Sequence, residues 1–229
     1  MTTVIVKAGG PMPHLARSGD VWLLNLGDGE NRLNPGWVSD IGHALAEIER
    51  ATGPRALVTC ADGKFWSNGL DLDWMGQHPG EADGFLRDTH RLLARLLVLP
   101  VPTVAAVQGH VFAAAVMFAC AHDQVVMRAD RGFWCLPEVD LGLSFTPGMD
   151  ALLRARLPAR AAQRAMTTGR RYGGTEALAA GLVDATAAAG EVLPAALALA
   201  GPLATTAGQA LGLIKQQMYG GVVTALEAY

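Results

Sequence analysis

One carboxylate in this chain stands in unusual company. From Arg131 to Leu143 the sequence reads Arg-Gly-Phe-Trp-Cys-Leu-Pro-Glu-Val-Asp-Leu-Gly-Leu, which sets Glu138 among Trp134, Leu136, Val139 and Leu141. A carboxylate poorly solvated by such neighbours has its pKa raised, towards the range where a single group can both take and return a proton. Glu138 is therefore the candidate catalytic base. The same window also reads as a strand end whose Glu faces water or pairs with an Arg, because charged residues beside apolar runs are mostly exposed. Asp71, Asp73 and Asp140 are the other carboxylates nearby, and Asp71, at the end of a turn-rich stretch, reads as a capping group before it reads as a catalytic one. His110 and His122 bracket an Ala-rich run too far apart for the i, i+4 pairing of helix-borne metal ligands, and read as structural. The three cysteines, Cys60, Cys120 and Cys135, lie in apolar segments without metal-ligand spacing. No metal site is expected.

The elements that must position these groups alternate between strand and helix. Val4 to Lys7 and Val21 to Leu26 read as paired strands. Asn34 caps a helix with Pro35 at its first position, and Val38, Ile41, Leu45 and Ile48 recur at helical spacing up to Gly53. Strand Ala56 to Cys60 follows, then the irregular segment 61–72, then a second amphipathic helix through Phe85, His90, Leu92, Leu93, Leu96 and Leu97. Thr103 to Val107 is a strand, Val111 to Ala121 a buried helix, and Gln124 to Met127 a strand. This rhythm predicts an α/β domain with a largely buried sheet. Beyond Pro147 helices dominate: Met149 to Leu157, Ala159 to Met166, Thr175 to Ala180, Val192 to Leu203, Leu211 to Met218 and Val222 to Tyr229, with only Leu182 to Ala185 strand-like. A soft boundary near residue 187 divides a core, 1–186, from a C-terminal helical portion, 187–229, whose apolar residues on several faces suit packing at a contact with the same chain or another subunit.

With 229 residues the chain can bury a full core, and 51% hydrophobic against 17% charged residues suggests surface buried between subunits. A net charge of -3 without a Lys/Arg cluster argues against nucleic acid or an anionic membrane as partner. The odd cysteine count suits a reducing compartment, and neither a signal peptide at the start nor a Ser-Lys-Leu type peroxisomal address at Glu227-Ala228-Tyr229 is read, so the expected location is cytoplasmic.

Three ordered motifs carry a resemblance. Phe65-x-Ser67-x-Gly69-Leu70-Asp71-Leu72, then Val107-Gln108-Gly109-His110 with Ala113-Ala114-Ala115 and Asp123, then Leu136-Pro137-Glu138-Val139-Asp140-Leu141-Gly142-Leu143 resemble the signatures of the enoyl-CoA hydratase/isomerase (crotonase) superfamily, over about residues 15–186. Within it the stretches 63–69, 109–110 and 127–133 look most like plant-type peroxisomal Δ3,Δ2-enoyl-CoA isomerases. The resemblance implies a spiral of ββα turns with a C-terminal helical portion at the oligomer contact, a trimer or dimer of trimers, and an acyl-CoA thioester substrate of fatty-acid metabolism. Coenzyme A is then part of the substrate, and no separate cofactor is expected.

Residue by residue, the resemblance gives the backbone N–H groups of Leu70 and Ala114 as holders of the thioester oxygen, with Ala114 standing where the family usually has Gly. A backbone donor does not depend on its side chain, so Ala114 can serve if its methyl fits. The position matching the hydratases' second Glu is Met117, which can neither give nor take a proton, so hydration by a two-Glu route is not expected. Arg32 and Leu33 match the loop that touches the adenine end of coenzyme A, and Lys215 matches a basic residue that can reach its phosphates. Ser67, Gly69 and Asp71 belong with the substrate-binding residues, and Met117 and Trp134 read as acyl-pocket lining or as ordinary core. The resulting expectation is an isomerase that moves a 3-enoyl-CoA double bond to the 2-position through Glu138. The alternatives are another crotonase reaction, thioester hydrolysis or hydration, and a non-catalytic acyl-CoA binding protein.

Overall fold

The computed structural model describes residues 13–229. Strand β1 (His14–Ser18) turns through Gly19, at φ 60°, into β2 (Val21–Asn25), and the two pair antiparallel with Ser18 opposite Val21. The strand expected at Val4 to Lys7 lies outside the described residues. Helix α1 (Pro35–Arg50) starts as its sequence requires: the Asn34 side chain accepts the Trp37 N–H at 3.0 Å, a cap worth about 1 kcal/mol, and Ile41, Leu45 and Ile48 are fully buried.

Three ββα turns follow. In each, a strand of a large sheet leads to a short strand of a small sheet and then to helix: β3 (Ala56–Cys60) and β4 (Phe65–Ser67) with α2 (Leu72–Gln77) and α3 (Ala82–Leu97); β5 (Thr103–Val107) and β6 (His110–Phe112) with α4 (Ala114–Cys120); β7 (Gln124–Arg128) and β8 (Trp134–Cys135) with α5 (Pro147–Arg156). Every pairing between successive turns is parallel, β3·β5 and β5·β7 in the large sheet and β4·β6 and β6·β8 in the small one. Glycine lets the turns stack this closely. A Cβ at Gly109 would lie 2.2 Å from the Lys64 carbonyl oxygen, and one at Gly132 would lie 2.6 Å from the Gly109 backbone.

The chain continues through α6 (Ala159–Thr168) and α7 (Gly174–Ala179) to β9 (Ala185–Ala187), which completes the six-stranded order β1-β2-β3-β5-β7-β9. Alternate residues of the large sheet serve two cores. Leu57, Ala105, Val107 and Met127 face the small sheet and helices, whereas Val58, Val104, Ala106 and Val126 face α8 (Val192–Leu203), whose Ala196 and Ala200 permit a close approach. After a short 3-10 turn, α9 (Gln209–Glu227) packs against α3 and α5 of the same chain.

Several boundaries differ from the sequence expectation, among them the irregular segment 61–72, which holds β4 and runs into α2. Val111 and Phe112 belong to β6, and the helix begins only at Ala114, because a short apolar run fits a buried strand as well as a buried helix. The strand near residue 185 begins at Ala185, while Leu182 and Val183 are buried in the loop before it. The last two expected helices are one: Gly220 and Gly221 sit inside α9, and their helix-propensity cost of about 1 kcal/mol each is offset by the packing of its buried face.

Candidate active site

Glu138 emerges from β8 into a tight turn. The Pro137 carbonyl accepts from the N–H groups of Asp140 (3.0 Å) and Leu141 (3.1 Å), the Leu143 N–H returns to the Glu138 carbonyl at 2.9 Å, and Gly142 takes φ 67°. The turn holds the Glu138 side chain in the wall of a cavity of about 510 Å³, with only 6% of the residue exposed. Among the described residues its Oε2 has no hydrogen-bond partner and no cation lies within ion-pair distance. Burial pushes its carboxyl from the usual 4.5 up to about 7, against the smaller pull of its own backbone N–H. The reading of Glu138 as water-facing or Arg-paired is excluded. The source of the desolvation also differs from the sequence picture: Trp134 and Leu136 are buried, but Val139 and Leu141 are about half exposed. The cavity wall is what dries the carboxyl.

Two backbone segments reach the same cavity. Leu70 follows Gly69, whose φ of 80° only glycine takes without strain. The Leu33 N–H bonds to the Gly69 carbonyl and the Asp71 N–H to the Leu33 carbonyl, both at 2.8 Å. This bridge uses the Gly69 carbonyl and the Asp71 N–H and leaves the Leu70 N–H unengaged among the described residues. Ser67 braces the segment from behind, donating to the Asn31 carbonyl at 2.6 Å.

The second segment is the start of α4. Ala113 sits at φ 51°, ψ -127°, a conformation that costs a residue with a Cβ roughly 1–3 kcal/mol, and donates to the Cys135 carbonyl at 3.0 Å. The Ala114 N–H that follows has no acceptor among the described residues. The segments touch: a Cβ at Gly69 would lie 2.8 Å from the Phe112 oxygen and 3.2 Å from the Ala114 nitrogen. One turn along α4, Met117 lines the cavity and is 1% exposed.

Of the residues singled out by sequence, Glu138, Leu70, Ala114, Met117 and Arg32 line this cavity. Arg32 pairs with Asp73 (2.8 Å) and Glu30 at its rim. Leu33, Ser67 and Gly69 lie behind the wall, and Asp71 caps α2 by accepting the Trp74 N–H at 3.1 Å. Trp134 is outside the cavity lining, edge-on to Tyr172 at 6.1 Å; its neighbour Cys135 contributes to the lining while its thiol donates to the Gly169 carbonyl at 3.2 Å. Lys215 is not brought to the cavity. It is 4% exposed, donating to Asp123 at 2.7 Å and to the Val101 carbonyl at 3.0 Å, where a free phosphate-binding cation was expected. His122 is buried between the Thr59 hydroxyl (2.7 Å) and the Phe118 carbonyl (2.9 Å), and burial lowers its pKa to about 4, so it is neutral. His110 accepts the Phe133 N–H at 3.2 Å. Sequence reasoning missed Met75, Leu86, Phe145, Thr146 and Met149, which form the apolar wall, and Arg171 at the edge. Only Cys135 carried a usable signal, the two-residue alternation of a strand.

A desolvated carboxyl and two unengaged amides thus open on one cavity of a ββα spiral, an arrangement in which a proton could be taken beside a stabilised oxyanion. The comparisons agree on lineage. Residues 19–229 match the family model described as "Enoyl-CoA hydratase/isomerase". The chain is 38% identical over 219 residues to enoyl-CoA delta isomerase 2, peroxisomal, of Arabidopsis thaliana, covering 90% of this chain and 91% of that protein. An enoyl-CoA hydratase structure from Mycobacterium ulcerans Agy99 superposes with a TM-score of 0.85 at 26% identity, covering 94% of each chain. Human mitochondrial delta3-delta2-enoyl-CoA isomerase shares the fold, with a TM-score of 0.86 at 24% identity over 94% of this chain and 86% of that one. The protein belongs to the enoyl-CoA hydratase/isomerase family.

Proposed function

We propose that the protein is a Δ3,Δ2-enoyl-CoA isomerase working through one base. Glu138, as carboxylate, removes a proton from C2 of a 3-enoyl thioester, the electron pair moves towards the thioester oxygen and across the 3,4 double bond, and the same carboxyl returns the proton at C4. The product is the conjugated 2-enoyl thioester, and no water is consumed. The Leu70 and Ala114 N–H groups hold the enolate oxygen, contributing most where charge develops. The observation that carries this reading is the desolvated Glu138 carboxyl, its Oε2 unpartnered among the described residues, on the cavity that both free amides reach. Met117 supports isomerisation over hydration, because a thioether in the wall neither orients nor activates a water. Self-association into a trimer or a dimer of trimers belongs to the same reading, supported by Leu213, Ile214 and Met218, each more than half exposed on α9.

The test is to supply a 3-enoyl-CoA and follow the absorbance of the conjugated product. Absorbance should rise, with its later loss through hydration much slower, and Glu138→Gln should lower turnover by at least ~10²-fold. Hydration outpacing isomerisation in the wild type, or a Glu138→Gln variant that keeps most of its rate, would overturn the assignment.

A further inference from the structure

His90 takes no part in the proton transfer above, yet it is fully buried and joins three elements next to the cavity. Its Nδ1 lies 3.2 Å from the Leu226 carbonyl in the last turn of α9, and its Nε2 lies 3.0 Å from the Thr146 hydroxyl. A carbonyl oxygen only accepts, so Nδ1 carries the proton and donates it to Leu226; burial lowers the imidazole pKa and keeps the ring neutral, so Nε2 accepts from the Thr146 O–H. The Thr146 oxygen in turn accepts the Met149 N–H at 3.2 Å, capping α5. Every group in this relay, Met149 to Thr146 to His90 to Leu226, is used in one polarity.

The relay ends on the cavity wall. Phe145, Thr146 and Met149 line it, as does Leu86, one helical turn before His90 on α3. Packing fixes the same junction: a Cβ at Gly148 would lie 2.7 Å from the Leu226 Cα, and the Tyr229 ring meets the imidazole edge-on at 4.6 Å. The wall is apolar and lies away from the Arg32 rim in sequence and chemistry, which suits the hydrocarbon tail of a thioester rather than its nucleotide handle.

We infer that His90 is a positioning residue for acyl-tail binding, holding the Phe145–Met149 wall in place by tying Thr146 to the last turn of α9. This inference rests on the acyl-CoA reading of the site. His90 touches no reacting atom, and it sets how much of the affinity a saturated acyl tail contributes.

Calorimetric binding of a saturated long-chain acyl-CoA and of free coenzyme A, which need no turnover, tests it. In His90→Phe, which keeps a ring but loses both bonds, the long-chain thioester should bind about tenfold more weakly, the worth of roughly two methylene contacts, while free coenzyme A binds within about twofold of wild type. Should that variant not fold, Thr146→Val keeps His90 and the wall's shape and carries the same expectation. Where both fold, the double variant should lose less affinity for the tail than the two single losses added together, because each single substitution already removes the His90–Thr146 bond. A purely structural histidine would lower the melting temperature and leave the acyl contribution intact, and a folded variant behaving so overturns the inference while the acyl-CoA reading stands. A wild type that binds no acyl-CoA overturns both.

Discussion

Replacing Glu138 by Gln should change stability in a way that depends on pH. In the unfolded chain this carboxyl titrates near 4.5, and in the folded protein burial raises it to about 7. Below pH 4.5 both states are protonated and the residue costs nothing. Between 4.5 and 7 the unfolded state loses its proton while the folded state keeps it, so folding stability falls as pH rises; above 7 both are ionised and the penalty is constant. A rise from 4.5 to about 7, at about 1.4 kcal/mol for each step of one, amounts to roughly 3 kcal/mol. Glutamine cannot ionise and escapes this penalty, though its buried amide brings a cost of its own that does not vary with pH. The readout is therefore the difference between variant and wild type from urea unfolding, taken at about pH 5 and about pH 8 at equal protein concentration. It should move in favour of the variant by roughly 2.5 kcal/mol between the two. A shift below about 1 kcal/mol would show that the Glu138 carboxyl is solvated in the folded protein. The same protonation sets activity: the wild-type rate should climb as pH passes through about 7, where stability has paid its full cost.

Ala113→Gly should relieve the backbone at φ 51° and, after the extra chain entropy of glycine, stabilise the protein by about 1 kcal/mol, raising the melting temperature by roughly 2–4 °C in a thermal scan; a lower melting temperature would contradict it. Gly69→Ala places a methyl 2.8 Å from the Phe112 oxygen at φ 80°, so it should cost about 2 kcal/mol or more in urea unfolding and displace the Ala114 amide, with turnover down at least ~10-fold; a fully active variant would detach that amide from catalysis. Lys215→Met should cost about 1–3 kcal/mol by leaving half-buried Asp123 without its cation, yet leave coenzyme A affinity unchanged in a titration; weakened binding would return Lys215 to the phosphate role it was first given.

The site was legible where chemistry is local. Pro137-Glu138 in an apolar window and Asn34-Pro35 before a helical period announce themselves, since turn, cap and desolvation all depend on immediate neighbours. Ala113 did not, because a Cβ-bearing residue held at positive φ leaves no mark that a glycine would have left. Val111 and Phe112 were hidden by a run apolar on every face, and strand membership came from pairing with Trp134 and Cys135 more than 20 residues away. The Lys215–Asp123 pair spans 92 residues, and the wall of Leu86, Phe145 and Met149 converges from separate helices and a loop, which no spacing rule anticipates.

The bond from His90 to Leu226 spans 136 residues, so the cavity wall depends on a helix made long after the helix it steadies. During synthesis the turn bearing Glu138 and both free amides can be in place on a nascent chain while α9 is still within the ribosome. Such a chain has the Glu138 turn and both amides but not the contact that ties Thr146, through His90, to α9. A chain halted before α9 exposes the apolar faces of α3 and α5 to chaperones and proteases.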